Sequence, residues 1–267
     1  MSNSTTRILV AIIGIPLFLF LIITGGIPFF CLTALIAVIS MWEIHKLFIQ
    51  KNINTFLILD ILFAVVSISV ICFLPAKYYF YLLLIPVLIF LIELFRSNKN
   101  ILNPIVSLFA QLYITLPMIL LNELEKRSSG ISTSKMNYVL IIFILIWTCD
   151  SMSYFGGRLL GKHKLTSISP KKTIEGFISG IIFTIIASFI LMFFNKDLLN
   201  LTDAIVFGII ASVIGTAGDI FESFIKRSAD IKDSSNIIPG HGGVLDRFDS
   251  LLFVTPFVYV YLVLIRI

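Results

Sequence analysis

Apolar residues gather in nine long runs, and the polar residues are confined to the gaps between them. The runs cover residues 7–24, 27–48, 56–74, 78–95, 103–122, 138–156, 174–194, 202–221 and 249–266. Wound as helices, each is long enough to cross a hydrocarbon core of about 30 Å. The expected fold is therefore all-α, a polytopic integral membrane protein with about nine transmembrane helices. Two of the breaks are short, Thr24-Gly25-Gly26 and Pro75-Ala76-Lys77, so the count falls by one or two where a short segment re-enters the bilayer. The first run continues through Phe20 and Ile23 without a small-residue cleavage pattern, which predicts a retained helix.

Composition agrees, with 58 % hydrophobic and 13 % charged residues, far from the balance of a soluble domain. Charge distribution sets an orientation. With the N-terminus in the cytoplasm, all but six of the 20 Lys and Arg residues fall in inside loops, the six being Lys77, Lys126, Arg127, Lys135, Lys196 and Arg266. This is the bias that orients membrane proteins, and it predicts a bacterial-type inner or plasma membrane protein with its polar loops cytoplasmic and its C-terminus outside. The net charge of +5 follows from the same bias and from attraction to anionic head groups. Nucleic acid is an improbable partner, because no basic stripe with interleaved aromatics appears. Cys31, Cys72 and Cys149 lie inside apolar runs without CxxC spacing and read as small core residues.

Residues 1–122 carry few polar groups and are expected to form a scaffold of transmembrane helices, leaving 123–267 to hold the chemistry. Within the first half, Glu43, His45 and Glu93 lie near span ends where they reach the interface. Asp60 is four residues into its span and has no evident partner.

The sixth run changes character at its end, Trp147-Thr-Cys-Asp150-Ser-Met-Ser-Tyr154-Phe-Gly-Gly-Arg158. Asp150, Tyr154 and Arg158 share one helical face, and Ser153, Gly157 and Gly161 form a small-xxx-small stripe beside it. Such a stripe serves packing within one chain or between two copies, so a homodimer stays open. The next loop combines four lysines with Ser169, Pro170, Thr173 and Glu175. Ser169 and Pro170 fit the start of a helix, where Lys171, Lys172 and backbone N–H groups would make an anion site.

The eighth run ends in Asp219, Glu222, Ser223, Lys226 and Arg227. The spacing of Asp219, Glu222, Ser223, Lys226 and Asp230 predicts a polar stripe along one side of a continuous helix. A Gly-rich stretch, Pro239-Gly240-His241-Gly242-Gly243, follows, where backbone can approach a ligand closely. His241 either caps a turn or contacts phosphate and handles a proton. Asp246, Arg247 and Asp249 open the last run. Asp219, Asp246 and Asp249 are hard oxygen donors of the kind that hold Mg²⁺ together with substrate phosphates, and the number of carboxylates leaves room for a second cation.

Ser223-x-Ile-Lys226-Arg227, Lys232-Asp233, Ser235, Ile238-Pro239 and His241-Gly-Gly-Val-x-Asp246-Arg247-Phe-Asp249 together resemble the signature of the phosphatidate cytidylyltransferases, or CDP-diacylglycerol synthases. Ser169-Pro-Lys-Lys-Thr173 with Glu175-Gly176 is similar to that family's other shared loop, with Ile174 where an aromatic residue is expected. The resemblance implies transfer of CMP from CTP to phosphatidic acid in the bilayer, giving CDP-diacylglycerol and pyrophosphate with Mg²⁺ as cofactor. It also implies in-line attack without a covalent intermediate. On this reading Asp219, Asp246 and Asp249 hold Mg²⁺. Lys226, Arg227 and Arg247, with His241, face phosphate oxygens. Ser169, Lys171, Lys172, Thr173, Glu175, Ser223, Gly242 and Gly243 bind the substrates. Asp150, Tyr154, Lys232 and Asp233 give support. Two alternatives stand beside it: a CTP-dependent lipid kinase, which would release CDP, and an ion-coupled transporter using the same carboxylates as a cation path.

Overall fold

The computed structural model describes residues 3–129, 136–240 and 242–265, without the side chains of 3–9 and 11. Its described residues form nine helices that follow the nine apolar runs. These are α1 (Asn3–Thr24), α2 (Gly26–Ile49), α3 (Leu57–Phe73), α4 (Ala76–Leu94), α5 (Leu102–Ser129), α6 (Tyr138–Leu160), α7 (Ile174–Phe194), α8 (Leu201–Ser228) and α9 (Leu245–Leu264). Seven of them are long and apolar enough to cross a membrane; α3, with 17 residues, and the Ile12–Thr24 part of α1 are shorter. The protein is an all-α polytopic membrane protein.

Local chemistry places the helix ends. Gly25 and Gly26 adopt φ of 64° and 54°, a region open to glycine at no steric cost, and this separates α1 from α2. At the start of α6 the Asn137 side chain accepts from the Leu140 amide at 2.8 Å. α8 begins with a reciprocal capping box, in which Asn200 Oδ1 accepts from the Asp203 amide and Asp203 Oδ2 from the Asn200 amide. The second Asp203 oxygen accepts from Tyr261 Oη at 2.8 Å, so one buried carboxylate both starts α8 and ties it to α9. Two wide turns interrupt otherwise regular helices, Gln111–Thr115 in α5 and Ile210–Ile214 in α8. Such π-turns cost regular hydrogen bonding and tend to mark functional positions.

The chain divides into two compact units, Met1–Glu123 with Ala229–Arg247, and Leu124–Ser228 with Phe248–Ile267. The loop that carries much of the signature thus belongs to the unit built by the first five helices.

In the first unit, α2 is the central packing element. Phe29, Ile36, Met41, Ile44 and Leu47 are all buried along it. His45 and Asp60, both at 0 % exposure, meet through Nε2 and Oδ2 at 2.7 Å. His45 Nδ1 lies 2.7 Å from the Met41 carbonyl, which only accepts, so Nδ1 carries the proton. Gln111 Nε2, in the π-turn, donates to the Asp60 carbonyl at 2.8 Å, and Thr115 donates to Gln111 Oε1. His45 does not reach the interface as expected, and Asp60, which has no evident partner in the sequence, finds one in His45. A buried polar group in hydrocarbon is held by partners on neighbouring helices, and here α2, α3 and α5 supply them to one another. Glu93 also turns inward, accepting from the Asn100 amide and Asn103 Nδ2.

In the second unit, α6 and α7 pack at very close range through the small-residue stripe. A Cβ on Gly176 would stand 2.6 Å from the Ser153 carbonyl, and one on Gly180 would collide with Ser153 Oγ. Gly156, Gly157 and Gly161 are closed in turn by Ser179 and Thr173. This stripe is therefore used for packing inside one chain. The opposite side of α7 presents Ile178, Ile182, Ile186 and Ile190 outward, as a lipid-facing helix does. Of the three cysteines, Cys149 is buried in this unit, whereas Cys31 is exposed.

Candidate functional site

The polar end of α6, the loop to α7 and the last turns of α8 enclose a cleft of about 460 Å³ in the second unit. Its lining includes Asp150, Ser153, Tyr154 and Arg158 from α6, Ser169, Lys171, Lys172 and Thr173 from the loop, and Thr216 and Asp219 from α8. Asp150, Tyr154 and Arg158 line it together, as their spacing predicts.

The loop is held as a tight hairpin. The Leu165 amide donates to the Lys172 carbonyl, and the Ile174 amide to the His163 carbonyl. Pro170 sits in the turn closed by the Lys172 amide and the Ser169 carbonyl at 3.0 Å. The helix cap is Thr173 rather than Ser169. Its backbone is extended and its hydroxyl accepts from the Gly176 amide at 3.1 Å. Ser169 is spent on the turn, so the first helical residue lies four positions later than the Ser-Pro pair alone suggests. Glu175 faces back along the loop. Oε2 accepts from the Lys162 and His163 amides at 3.0 and 3.2 Å, and Oε1 meets His163 Nδ1 at 2.6 Å. Its carboxylate shapes the loop that displays the lysines.

Lys172 Nζ reaches Asp219 Oδ2 at 2.5 Å, both groups being partly exposed to the cleft. Gly218 next to it permits close approach of α9, since a Cβ there would lie 2.8 Å from the Asp249 carbonyl. Asp249 lies within electrostatic range of Asp219, Asp150 and Lys172. Three carboxylates and one ammonium group thus share this end of the unit. One turn further, Lys226 Nζ pairs with buried Glu222 Oε2 at 2.5 Å. Arg227 is exposed in the last turn of α8 and Ser223 is half-buried. The helix ends at Ser228. Asp230 lies beyond it with φ of 58° and pairs with Lys51 at 2.8 Å. The stripe predicted to run unbroken from Asp219 to Asp230 therefore stops at Lys226, because the left-handed residue turns the chain away.

The remaining signature residues belong to the first unit. Asp246 Oδ2 accepts from the Gly243 amide at 2.8 Å and from the Ser234 amide and hydroxyl at 3.1 Å. Gly242 has φ of 87° and its carbonyl accepts from the Ile238 amide. Gly243 has no room for a side chain, since a Cβ there would fall 2.5 Å from Glu43 Oε1 and nearer still to Ser234 Oγ. Arg247 is exposed in the first turn of α9. Lys232 and Asp233 line a second cleft of about 510 Å³ with Trp42 and Lys46. His241 lies outside the described residues.

Three residues have places that the sequence does not signal, although Ser153 reads there as a packing residue and Glu43 as an interface residue. Thr216 and Ser153 are ordinary small residues whose place in the cleft follows only from helix packing. Glu43 was visible as an ionisable residue in a span, but its partners lie far along the chain.

Among the described residues, no group of three or more His, Cys, Asp or Glu side chains is set to enclose a metal ion. The carboxylates of the second unit are hard oxygen donors, and Asp150 and Asp219 line the cleft. That chemistry fits Mg²⁺ held by one or two protein carboxylates and completed by substrate phosphates and water.

Residues 5–265 match the model of the cytidylyltransferase family. The chain is 31 % identical over 274 residues to the phosphatidate cytidylyltransferase of Bacillus subtilis (strain 168), the match covering 99 % of each protein. It is 46 % identical over 129 residues to that of Staphylococcus haemolyticus (strain JCSC1435) and 44 % over 140 residues to that of Staphylococcus saprophyticus. The two staphylococcal matches span about half the length of those relatives, 50 % and 52 %. A family match over nearly the full length, joined to a relative aligned end to end, means that this chain belongs to the cytidylyltransferase family.

Proposed function

We propose that this protein is a phosphatidate cytidylyltransferase, which transfers CMP from CTP to phosphatidic acid and releases pyrophosphate. The observation that carries the reading is the Lys172–Asp219 pair in a cleft also lined by Asp150, Arg158 and Lys171. Cations for phosphate oxygens and carboxylates for a divalent cation are mounted together at the end of apolar helices. The names of the full-length and partial relatives point to the same substrates.

The chemistry asked of the chain is positioning and charge neutralisation. Phosphatidate carries an ionised phosphate near neutral pH, so its oxygen attacks the α-phosphorus of CTP without a general base, and pyrophosphate leaves in line. Lys171, Lys172 and Arg158 would draw in one anionic partner. Lys172 exchanges its bond to Asp219 for one to phosphate, which frees the carboxylate. Asp219 and Asp249, joined here by Asp150, would then hold Mg²⁺, which when bound supplies charge neutralisation on the triphosphate. Asp246, in the first unit, keeps the signature loop folded through Ser234 and Gly243. The Lys and Arg bias supports cytoplasmic polar loops, the side on which CTP is found.

Purified protein in detergent, given labelled CTP, phosphatidate and Mg²⁺, should form CDP-diacylglycerol and pyrophosphate. The product should vanish with EDTA and in Asp219→Asn. Release of CDP with a phosphorylated lipid would replace this reading with a lipid kinase; folded wild-type protein without any product would remove it.

A further inference from the structure

Glu43 sits in α2, far from every signature residue in sequence, and is fully buried. Oε1 accepts from the Ser235 hydroxyl at 2.5 Å and the Val244 amide at 2.9 Å, and Oε2 accepts from the Leu245 amide at 2.6 Å. These donors bracket the Gly-rich loop, Ser235 before it and Val244 and Leu245 at the start of α9. Backbone N–H groups at a helix start lack intrahelical partners and favour a negative charge. A carboxylate also offers acceptors only, which suits three converging donors. The amide of glutamine would turn an NH₂ against at least one of them. Gly243 packs directly over the carboxylate with no space for a Cβ, so clamp and loop interlock. Asp246 closes the loop from its own side through Ser234 and Gly243.

We propose that Glu43 is a positioning residue for cytidylyl transfer, its carboxylate holding Ser235, Val244 and Leu245 in the one arrangement that presents the signature loop to substrate. It touches no substrate itself, and its catalytic part rests on the function proposed above. α2 is suited to the task because His45, two residues on, faces away from the loop and locks the helix to Asp60 of α3.

The test compares Glu43→Gln, Glu43→Ala and Ser235→Ala, the last removing one donor while leaving the carboxylate in place. Two quantities are read on folded, detergent-purified protein: the rate of tryptic cleavage after exposed Lys232, and kcat and KM for CTP and phosphatidate. Release of the loop should speed cleavage at Lys232 about 10-fold in both Glu43 variants, since cleavage follows the population of open loop. kcat should fall ~100-fold in Glu43→Ala, the cost of small misplacements of reacting groups, with KM little changed. Ser235→Ala should shift both readouts in the same direction by a smaller factor. Unchanged Lys232 cleavage in Glu43→Gln and Ser235→Ala would overturn the clamp. Faster cleavage with unchanged kcat would overturn the positioning role. Absence of product from the wild-type protein would overturn the transfer reading, while the cleavage data would still decide whether the clamp exists.

Discussion

Lys172 and Asp219 neutralise one another at 2.5 Å in the cleft, so on the proposed function each is a charge that the substrate or its cation must displace. On the proposed function, Lys172→Met and Asp219→Asn are each expected to lower kcat/KM by ~100-fold or more, the first removing charge that would meet phosphate and the second charge that would meet the cation. Their effects should not add in the double variant; steady-state rates of the three proteins check this, and strict additivity would contradict a shared role. The loop of the first unit is tested by Gly243→Ala. With Ser234 Oγ and Glu43 Oε1 both inside contact distance of the new Cβ, overpacking should cost about 1–3 kcal/mol, read as a lower melting temperature together with loss of turnover. Acid titration has a defined sign at Asp230, whose carboxyl is held below its ordinary value first by the hydrogen bond from Lys51 and then by that lysine's charge. Its contribution is therefore present above the ordinary carboxylate range and lost as pH falls through the lowered value. The pair is exposed and screened, so wild-type and Lys51→Ala melting curves should differ slightly at neutral pH and converge on acidification; a gap that widens in acid would contradict the assignment.

At the scale of elements, the apolar runs predict the helices well because length in a bilayer is a strong constraint and the breaks at Gly25 and Pro75 are local chemistry. What was not legible depended on neighbours. Ser169 and Thr173 both have capping side chains, and the choice between them was made by the hairpin that consumes Ser169 in a turn. Helical spacing carried the carboxylate stripe past Ser228, but the left-handed backbone of Asp230 is a property of the loop and of Lys51 on another element. Asp150 and Asp219 were visible as cleft residues since charged groups ending apolar runs need partners, whereas Glu43 looked like an interface residue because its donors lie 192 to 202 positions away. The α6–α7 contact offers its own test. Gly176→Ala places a methyl 2.6 Å from the Ser153 carbonyl and should destabilise the second unit by roughly 1–3 kcal/mol. Gly14, with open space around its Cβ position, should accept alanine without loss, and thermal unfolding of the two variants separates close packing from helix propensity.

For the whole molecule, the chain alternates between its units, leaving the first at Glu123, returning for Ala229–Arg247 and departing again in α9. The orientation proposed from charge predicts that, in a variant lacking the three native cysteines, Lys164→Cys and Asn236→Cys react with an impermeant maleimide only when the cytoplasmic face is exposed. Lys77→Cys should react from the other face, and the reverse pattern would invert the topology.

The distance in sequence between Glu43 and its donors also imposes an order on biosynthesis. α2 enters the bilayer with a carboxylate whose partners, at Ser235, Val244 and Leu245, are made 192 to 202 residues later. Until then the group must keep access to water, because an unpartnered charge in hydrocarbon is costly. α2 is thus finished long after it is inserted, and a ribosome that stalls before Leu245 leaves the first unit incomplete.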